Sequence, residues 1–426
     1  MDASVFGGAL TITRAISRIF VACILASASL ARPAFCELPS TPTSTPKVAP
    51  AATETATATV TPTSICDQTA RFPRSSPIPL GISGGNARDF LNTSAGRTCI
   101  GGTLGSLLED SNNKQYILGT NHLLARNNSA ALGEPIVQPG LQDTKCNAGH
   151  GNVVAKLSKF VPLHFAHNSE NMVDAAIAKA SLFPNGNAKV SSDILNIGGI
   201  SSDVIAKPTV EMNVQEMGDG SCQTLGVVTA LNVNVSVSYV RFNKNKPKIA
   251  NFLGQIQISS SNPAAKTFVA AADIGSLIVT APTDGSCPQP VALLFAVSVN
   301  ANGPVGFATP VQSVLDLLNT ANPKEISGLQ FVNSCPTSVA APAAPTIKGF
   351  SADAIQAATD TRDRNVDELM SIPEAIGTGV GIGNAPDRLA IIVYVKRLTP
   401  DQLAATPGEI EGVPVVLRET GEITTD

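Results

Sequence analysis

The chain has 426 residues, enough for two or three domains of ordinary size. Hydrophobic residues make up 43% of it, charged residues 15% and aromatic residues 4%, while glycine (34) and proline (30) are plentiful. This composition favours many short β-strands joined by turns over helical bundles, and the net charge of −4 gives no reason to expect nucleic acid or an anionic membrane surface as a partner.

The first residues have the features of a secretory signal. Arg14 and Arg18 supply positive charge ahead of the apolar run "IFVACILASASLA" (19–31), which ends in small residues suited to cleavage. A membrane anchor is the alternative, but the run is shorter than the ~20 residues that span a bilayer. We therefore expect residues 1–31 to be a cleaved signal peptide and the protein to be secreted, periplasmic or at the cell surface.

Two stretches of small residues and proline divide the rest of the chain. Residues 32–65 are mostly Thr, Pro, Ala and Ser and have little to bury, so they are predicted to be a disordered spacer. The stretch "PTSVAAPAAPT" (336–346) is predicted to be a linker. These boundaries leave two candidate folded domains, residues 66–335 and 347–426.

Residues 66–335 have the pattern of an antiparallel β domain. Short apolar runs alternate with turn signals, and in "LNVNVSVSYV" (231–240) every second residue from Leu231 to Tyr239 is apolar or aromatic. This pattern predicts a barrel or a sandwich. The stretch "TPVQSVLDLLN" (309–319) is predicted to be an amphipathic helix that closes the domain.

The last 80 residues or so predict a small α+β module. The charged stretch 351–372 is predicted to form one or two helices, with Ser351 as the N-cap. "AIGTGVGIG" and "RLAIIVYV" are predicted to be paired strands, and "GVPVVLRETGEI" a third. The alternating glycines from Gly377 to Gly383 do not have the spacing of a dinucleotide-binding loop, so we interpret them as a glycine-rich edge strand.

One of the four histidines stands in a position that suits a catalytic base. His122 follows the apolar run "YILGT", Asp174 leads into a second apolar run, and the turn in "AAADIGSLIV" (270–279) lies beyond both. Serine-protease chemistry requires a nucleophilic hydroxyl, an imidazole that takes its proton and a carboxylate that orients the imidazole. A lone histidine after a strand is more often structural, so the order of these residues does not by itself assign a role.

Several phrases between residues 98 and 320 resemble, in order, a bacterial branch of the trypsin-like serine proteases that also resembles the plant narrow-leaf protein. They are "GTLGSLLED", "YILGTNHLLA", "GEPIVQPG", "NMVDAAIA", "VALLFAVS" and "TPVQSVLDLL". This resemblance implies a mainly β fold, a double antiparallel β-barrel of trypsin type. "GTGVGIG" and "IEGVPVVL" resemble a small module often joined to such domains, which agrees with a C-terminal α+β module.

The resemblance also implies roles for individual residues. His122 would be the general base, Asp174 would orient it, and the backbone N–H groups of Ala272 and Ile274 would form the oxyanion hole. Ile274 would occupy the nucleophile position, where its side chain has no hydroxyl and cannot form an acyl-enzyme. Ala272 stands where the family has glycine, and its Cβ disfavours the backbone conformation that aims the N–H.

Two other serines are alternatives for the nucleophile. Ser276 lies in the strand that follows the turn, so its side chain is expected to point elsewhere. Ser221, in "MGDGSCQ", is better interpreted as part of a Gly-Asp-Gly turn between strands. A working endopeptidase would require one of these serines or an error in the sequence at position 274.

The cysteines favour disulfides in an exported protein. Cleavage of the signal would leave seven, scattered without a Cys-x-x-Cys pair, so a zinc ribbon is unsupported and one thiol stays without an intrachain partner. Within the second half of the protease-like domain we expect Cys222 to pair with Cys287. A metal site formed by "HFAH" (164–167) with Glu170, Cys146 and His150 is the weaker alternative, and we expect neither metal nor cofactor.

The sequence thus predicts an exported trypsin-like serine-protease homologue that is catalytically impaired at Ile274. It is expected to bind a peptide or protein in the barrel cleft, where strand 292–298 would pair with an extended backbone. Nucleic acid is not expected as a partner, nor is a membrane beyond the signal peptide. An active serine endopeptidase that uses a different serine is the alternative, and display of the barrel on the Thr/Pro-rich spacer is a third hypothesis.

Overall fold

The structure is a computed structural model, and it describes most of the chain from residue 68 onward. The described residues are 68–94, 96–166, 168–240, 246–262, 267–300, 303–332, 334–335, 349–385 and 387–425. The predicted signal peptide (1–31), spacer (32–65) and linker (336–346) lie outside them. Among the described residues, none of the helices is long and apolar enough to cross a membrane.

The first sheet closes into a barrel. Its region contains β1 (Ile78–Leu80), β2 (Ile82–Asn86), β3 (Phe90–Thr93), β4 (Gly96–Cys99), β5 (Gly102–Leu104), β6 (Ser106–Glu109), β7 (Gln115–Gly119), α1 (Asn121–Leu124), β8 (Pro135–Gln138), β9 (Asn152–Phe160), β10 (Glu170–Asn171), β11 (Ala176–Ala180) and β12 (Val190–Ile194). Antiparallel pairs run from β2 to β5, from β6 through β7, β11, β9 and β8, and back to β2. Strands β5 and β6 form one side of this barrel, interrupted at Gly105.

The second sheet closes in the same way. Its region contains β13 (Asn213–Gly218), β14 (Cys222–Tyr239), β15 (Lys248–Ser260), β16 (Leu277–Thr280), β17 (Pro290–Asn300), β18 (Gly303–Pro310), α2 (Val311–Thr320) and β19 (Gln330–Phe331). Antiparallel pairs run from β13 through β14, β15, β18, β17 and β16 back to β13. Two closed antiparallel barrels confirm the predicted mainly β, double-barrel fold.

The C-terminal residues form the predicted small α+β module. It contains α3 (Ala352–Arg364), α4 (Val366–Met370), β20 (Ala375–Ile382), β21 (Leu389–Val395), α5 (Pro400–Ala405), β22 (Glu409–Ile410) and β23 (Val413–Glu419). Strand β20 pairs with β21, which pairs in parallel with β23, and the Ser351 hydroxyl caps α3 by accepting from the Ala354 N–H at 3.1 Å.

The glycine-rich strand β20 is not an edge strand, so that interpretation was wrong. It lies between β21 and β14, which pairs with it from Ala230 to Val235. A Cβ at Gly377 or Gly381 would collide with a carbonyl oxygen of β14. The alternating glycines therefore allow a close approach of two backbones, and the sheet of the second barrel continues into the C-terminal module.

Strand β14 shows the predicted alternation with one exception. From Leu231 to Tyr239 every second residue is buried, as the pattern requires for a half-covered sheet. Ser238 breaks the rule, because it belongs to the outward set and is nevertheless 4% exposed. Residues that follow β23 cover it.

The disulfides differ from the predicted pair. Cys99 is bonded to Cys146 and Cys287 to Cys335. Cys222 is also disulfide-bonded, but Cys287 is already taken, so the expected Cys222–Cys287 bond was wrong. Membership of one barrel did not determine the partner, because Cys287 lies in the loop before β17 and pairs with a residue beyond β19. Disulfides fit an oxidising compartment.

Candidate active site

The structure brings His122 and Asp174 together. His122 is in α1, the four-residue helix after β7, and Asp174 lies in the connection from β10 to β11. The Nδ1 atom of His122 is 2.6 Å from Oδ2 of Asp174, and the backbone N–H of His122 donates to Oδ1 at 3.2 Å. With the carboxylate ionised, this contact places the ring proton on Nδ1 and leaves Nε2 as the basic nitrogen.

Tyr239 is a third member of this group, and sequence reasoning missed it. Its hydroxyl donates to Oδ2 of Asp174 at 2.7 Å, and its ring lies edge-on to that of His122 with centroids 5.8 Å apart. Burial, and then the charge of Asp174, raise the pKa of Tyr239 well above its usual range, so it remains a donor. The alternation in β14 predicted a buried Tyr239, but a period of two does not identify the loop that packs against it.

The basic nitrogen of His122 lies near a buried hydroxyl. Nε2 is 3.5 Å from Oγ1 of Thr120, which is fully buried at the N-cap of α1. A contact of this length is weak. Because Thr120 has no exposed surface, its hydroxyl cannot reach a substrate carbonyl.

The turn at Ile274 lies where the two barrels meet. Ala271–Asp273 form a single 3-10 turn, and Gly275 follows with φ of +102°. The Thr103 N–H of the first barrel donates to the Ile274 carbonyl at 2.9 Å, and the Gly275 N–H donates to the Leu294 carbonyl of β17 at 2.9 Å. A Cβ at position 275 would collide with the carbonyl of Thr103, so glycine is required there on two grounds.

Ile274 does not project from this turn as a nucleophile would. Its side chain is 2% exposed and belongs to the apolar cluster of the second barrel, with Phe268, Val269 and Leu294. Its backbone N–H, an expected oxyanion-hole donor with that of Ala272, donates to the Ala271 carbonyl at 3.2 Å. Both the side chain and the N–H of Ile274 are therefore engaged inside the fold.

The two alternative serines are also hydrogen-bonded or buried. The hydroxyl of Ser221, in the turn from β13 to β14, donates to Oδ2 of Asp273 at 2.6 Å and is 3.1 Å from Oε1 of Glu216. Ser276 is fully buried. Neither position presents a hydroxyl that His122 could activate for attack on an external carbonyl.

Asp273 anchors the turn to its neighbours. Its carboxyl group accepts from the Ser221 and Gly220 N–H groups at 2.9 and 2.6 Å and from the Ala270 N–H at 2.6 Å. Burial nevertheless raises the pKa of Asp273. Burial, and then the charge of Asp273, raise the pKa of Glu216 well above its usual range.

Asp219 is the third acid of this region. Burial, the charge of Asp143 and the charge of Asp273 raise the pKa of Asp219 to about 8, against the opposing effect of Arg71, whose Nε lies 3.3 Å from Oδ1. The Asp219 N–H donates to the Thr103 hydroxyl at 2.9 Å. Three carboxyl groups, those of Glu216, Asp219 and Asp273, thus lie close together at the turn of Ile274.

The described residues of the alternative metal site do not form one. Cys146 is in a disulfide with Cys99, and His150 contacts the side-chain amide of Asn147 at 3.1 Å. His167 lies outside the described residues. Among those that the structure describes, no three Cys, His, Asp or Glu side chains form a group that could hold a metal ion.

By sequence, the chain matches no protein-family model and no curated protein. Solved structures similar to it are serine proteases. A glutamic-acid-specific serine protease is 15% identical over 60% of this chain and 100% of its own, with a TM-score of 0.37. A Nocardiopsis protease is 14% identical over 60% of this chain and 98% of its own (TM-score 0.35), and a Cellulomonas bogoriensis chymotrypsin 15% over 54% and 90% (TM-score 0.32). Because these scores are low, nothing about the activity of this chain follows from them.

Proposed function

We propose that this chain is an exported, protease-like protein that has lost peptidase activity and binds an extended peptide or protein segment in its barrel cleft. The observation that carries the proposal is the state of Ile274. At the position where the resemblance places the nucleophile, an aliphatic side chain is 2% exposed within an apolar cluster. No acyl-enzyme can form on it.

The loss extends beyond the missing hydroxyl. The N–H of Ile274 donates within its own turn, so it is not directed at a position for a developing oxyanion. The contact of Ser221 with Asp273 fixes that hydroxyl as a donor to a carboxyl group. Removal of both the nucleophile and an oxyanion donor eliminates the two largest contributions to acyl transfer.

Retention of the His122–Asp174 pair has a structural explanation. Asp174 is fully buried, and a buried carboxylate without partners is strongly destabilising. His122 and Tyr239 both contact its Oδ2 atom. Loss of either partner would leave the charge under-satisfied, so the pair stabilises the fold even where no reaction occurs.

Strand β17 provides a surface for peptide pairing. It pairs with β16 only as far as Leu293, whereas its pairing with β18 extends to Asn300. The second half of β17 therefore has one edge that no barrel strand occupies. An extended backbone can add to such an edge, and the hydrogen bonds it forms require no particular sequence.

A fluorophosphonate probe, which bonds only to an activated serine, tests the loss of activity. The natural protein should show no labelling beyond that of its His122→Ala variant. Labelling that disappears on loss of His122 would contradict the proposal. An Ile274→Ser variant distinguishes two forms of it: labelling would mean that the hydroxyl alone is missing, and its absence that the turn no longer supports the chemistry.

Peptide binding is tested by selection from a library of extended peptides on the purified protein. We expect enrichment that is lost in Val297→Pro, because the Val297 N–H points away from β18, toward the edge of β17 at which an added backbone would accept from it. Equal recovery from the two proteins, both checked for folding, would count against binding at this edge.

An active endopeptidase is the second candidate. The ordered contact of His122 with Asp174 at 2.6 Å favours it, since this is the arrangement that a general base requires. It would need a serine supplied by a rearranged turn. The probe experiment identifies that residue, if it exists, by mapping the site of modification.

A further inference from the structure

The residues that follow β23 return to the second barrel and occupy the edge of β17 that no barrel strand covers. Thr424 forms an antiparallel bridge with Val297, in which the Val297 N–H donates to the Thr424 carbonyl at 2.9 Å and the Thr424 N–H donates back at 2.8 Å. We call residues 420–425 the return segment. It fills the position that a bound peptide would take.

The return segment is also held on its other side. Ser238, near the end of β14, donates its N–H to the Ile423 carbonyl at 2.8 Å, and its hydroxyl is 2.5 Å from Oε1 of Glu422. The segment thus lies between β17 and β14, which are not paired with each other. Its presence explains why Ser238 is buried on a strand face that otherwise alternates.

Ile423 is the apolar anchor of the segment, and the side chains of Thr420 and Thr425 are buried as well. Ile423 is 1% exposed and lies in the apolar cluster that includes Tyr239 and Phe295. Backbone pairing at an edge together with one enclosed apolar side chain is the general pattern by which an added strand is recognised. The return segment therefore has the contacts of a bound peptide, although it belongs to the same chain.

The segment lies next to the candidate active site. Ile423 shares an apolar cluster with Tyr239, whose hydroxyl contacts Asp174. Bridges are formed at Val297 and Ser238 only, not along a continuous ladder. Backbone hydrogen bonds to β17 and β14 and the buried side chains of Thr420, Ile423 and Thr425 hold the segment in place. These are the contacts that a peptide in trans has to replace.

We propose that the return segment is an autoinhibitory occupant of the peptide-pairing edge of β17. An extended peptide gains access to Val297 only when the return segment leaves. This inference rests on the proposed function, because it names the element that regulates the same edge.

The test compares Thr424→Pro with Thr424→Ala. Proline removes the N–H that donates to Val297, whereas alanine keeps it and serves as the matched control. The probe is a labelled peptide of residues 417–425, LRETGEITT, with a scrambled peptide for reference. We expect Thr424→Pro to bind the probe about tenfold more tightly than the natural protein and the alanine variant do. Hydrogen exchange at the Val297 amide should show that the edge opens only in the proline variant.

A locked variant guards against a proline effect on folding. In a hydrogen-bonded antiparallel pair the Cα atoms lie about 5.5 Å apart, which suits a disulfide. Val297→Cys with Thr424→Cys should bind the probe less than either single variant does. Equal binding by the locked protein and by the single variants would overturn the inference, as would equal binding by Thr424→Pro and the natural protein.

The two proposals fail in different ways. If Thr424→Pro enriches library peptides no better than the natural protein does, while the natural protein enriches them well, the return segment does not gate the edge and peptide binding stands. If Thr424→Pro binds its own segment but no protein enriches foreign peptides, the return segment is only a structural part of the sheet, and both the proposed function and the inference that rests on it are wrong.

Discussion

Buried carboxyl groups lie on both sides of the candidate site, and the two sides treat them in opposite ways. Asp174 receives the His122 N–H at 3.2 Å, the His122 ring at 2.6 Å and the Tyr239 hydroxyl at 2.7 Å. All three contacts are donors, so the oxygens of this buried carboxyl group are satisfied by hydrogen bonds. On the other side, burial raises the pKa of all three acids at the turn of Ile274, and the charge of Asp273 raises those of Glu216 and Asp219 further.

This difference shows how half of a catalytic site can persist without the other half. The His122 side keeps its geometry because a buried carboxyl group requires hydrogen-bond partners, whereas nothing comparable requires a hydroxyl at position 274. An apolar side chain there joins the cluster of the second barrel and adds buried surface. Loss of the nucleophile is therefore compatible with a stable fold, while loss of the base is costly.

The largest expected effect concerns pH and the crowded acids. Burial and the neighbouring Asp143 and Asp273 raise the pKa of Asp219 to about 8, from about 4 in an unfolded chain. Between these values the folded state holds more protons than the unfolded state. As far as Asp219 is concerned, the free energy of unfolding should therefore be greatest at and below about pH 4, and this contribution should be lost as the pH rises to about 8.

Asp219→Asn checks this expectation by urea unfolding at a series of pH values. In the variant, the free energy of unfolding should fall much less between about pH 4 and about pH 8 than it does in the natural protein. The fall that remains should come from Glu216 and Asp273. Asp284→Asn is the control, since Asp284 is a loop residue whose pKa is lowered through hydrogen bonds with Ser286. An unchanged slope in Asp219→Asn would mean that the two sides of the site do not differ in the proposed way.

The second effect concerns the core position of Ile274. Ile274→Ser removes buried methyl groups and encloses a hydroxyl, so the free energy of unfolding should fall by about 2–4 kcal/mol. Ile249→Ser is the matched control on β15, where the side chain is 44% exposed, and should change it by about 0.5 kcal/mol or less. Equal losses would place Ile274 in an open cleft and would remove the contrast with His122.

The fold was largely predictable from the sequence, because the two-residue period of the strands and the stretches that resemble the protease family both reflect local structure. The alternation from Leu231 to Tyr239, the helix α2 and the Ser351 cap follow from neighbours within a few residues. The position of β20 could not be predicted in this way. Its alternating glycines indicate that another backbone approaches closely, but they do not identify the strand to which that backbone belongs. That strand, β14, is separated from it by more than a hundred residues.

The candidate site was also only partly predictable from the sequence. The order of His122, Asp174 and the turn identified candidate residues, but their partners come from distant loops and strands. Tyr239 faces the interior by periodicity, and only the packed barrels place its hydroxyl against Asp174. The return segment had no signal beyond its short apolar content, because a two-bridge contact leaves no periodic pattern.

The smallest expected effect is the difference between losing a tyrosine hydroxyl that donates to a carboxylate and losing one that donates to a neutral amide. Tyr239→Phe removes a hydroxyl that donates to Asp174, and Tyr394→Phe removes one that donates to Oε1 of Gln257 at 3.2 Å. Both tyrosines are buried. A hydrogen bond to a charged group contributes about 1.5–3 kcal/mol, and one to a neutral group about 0.5–1.5 kcal/mol. The free energy of unfolding, measured in urea, should fall more in Tyr239→Phe. If the two losses are equal, Asp174 is not held as a charge, and the His122 side resembles the crowded acids rather than contrasting with them.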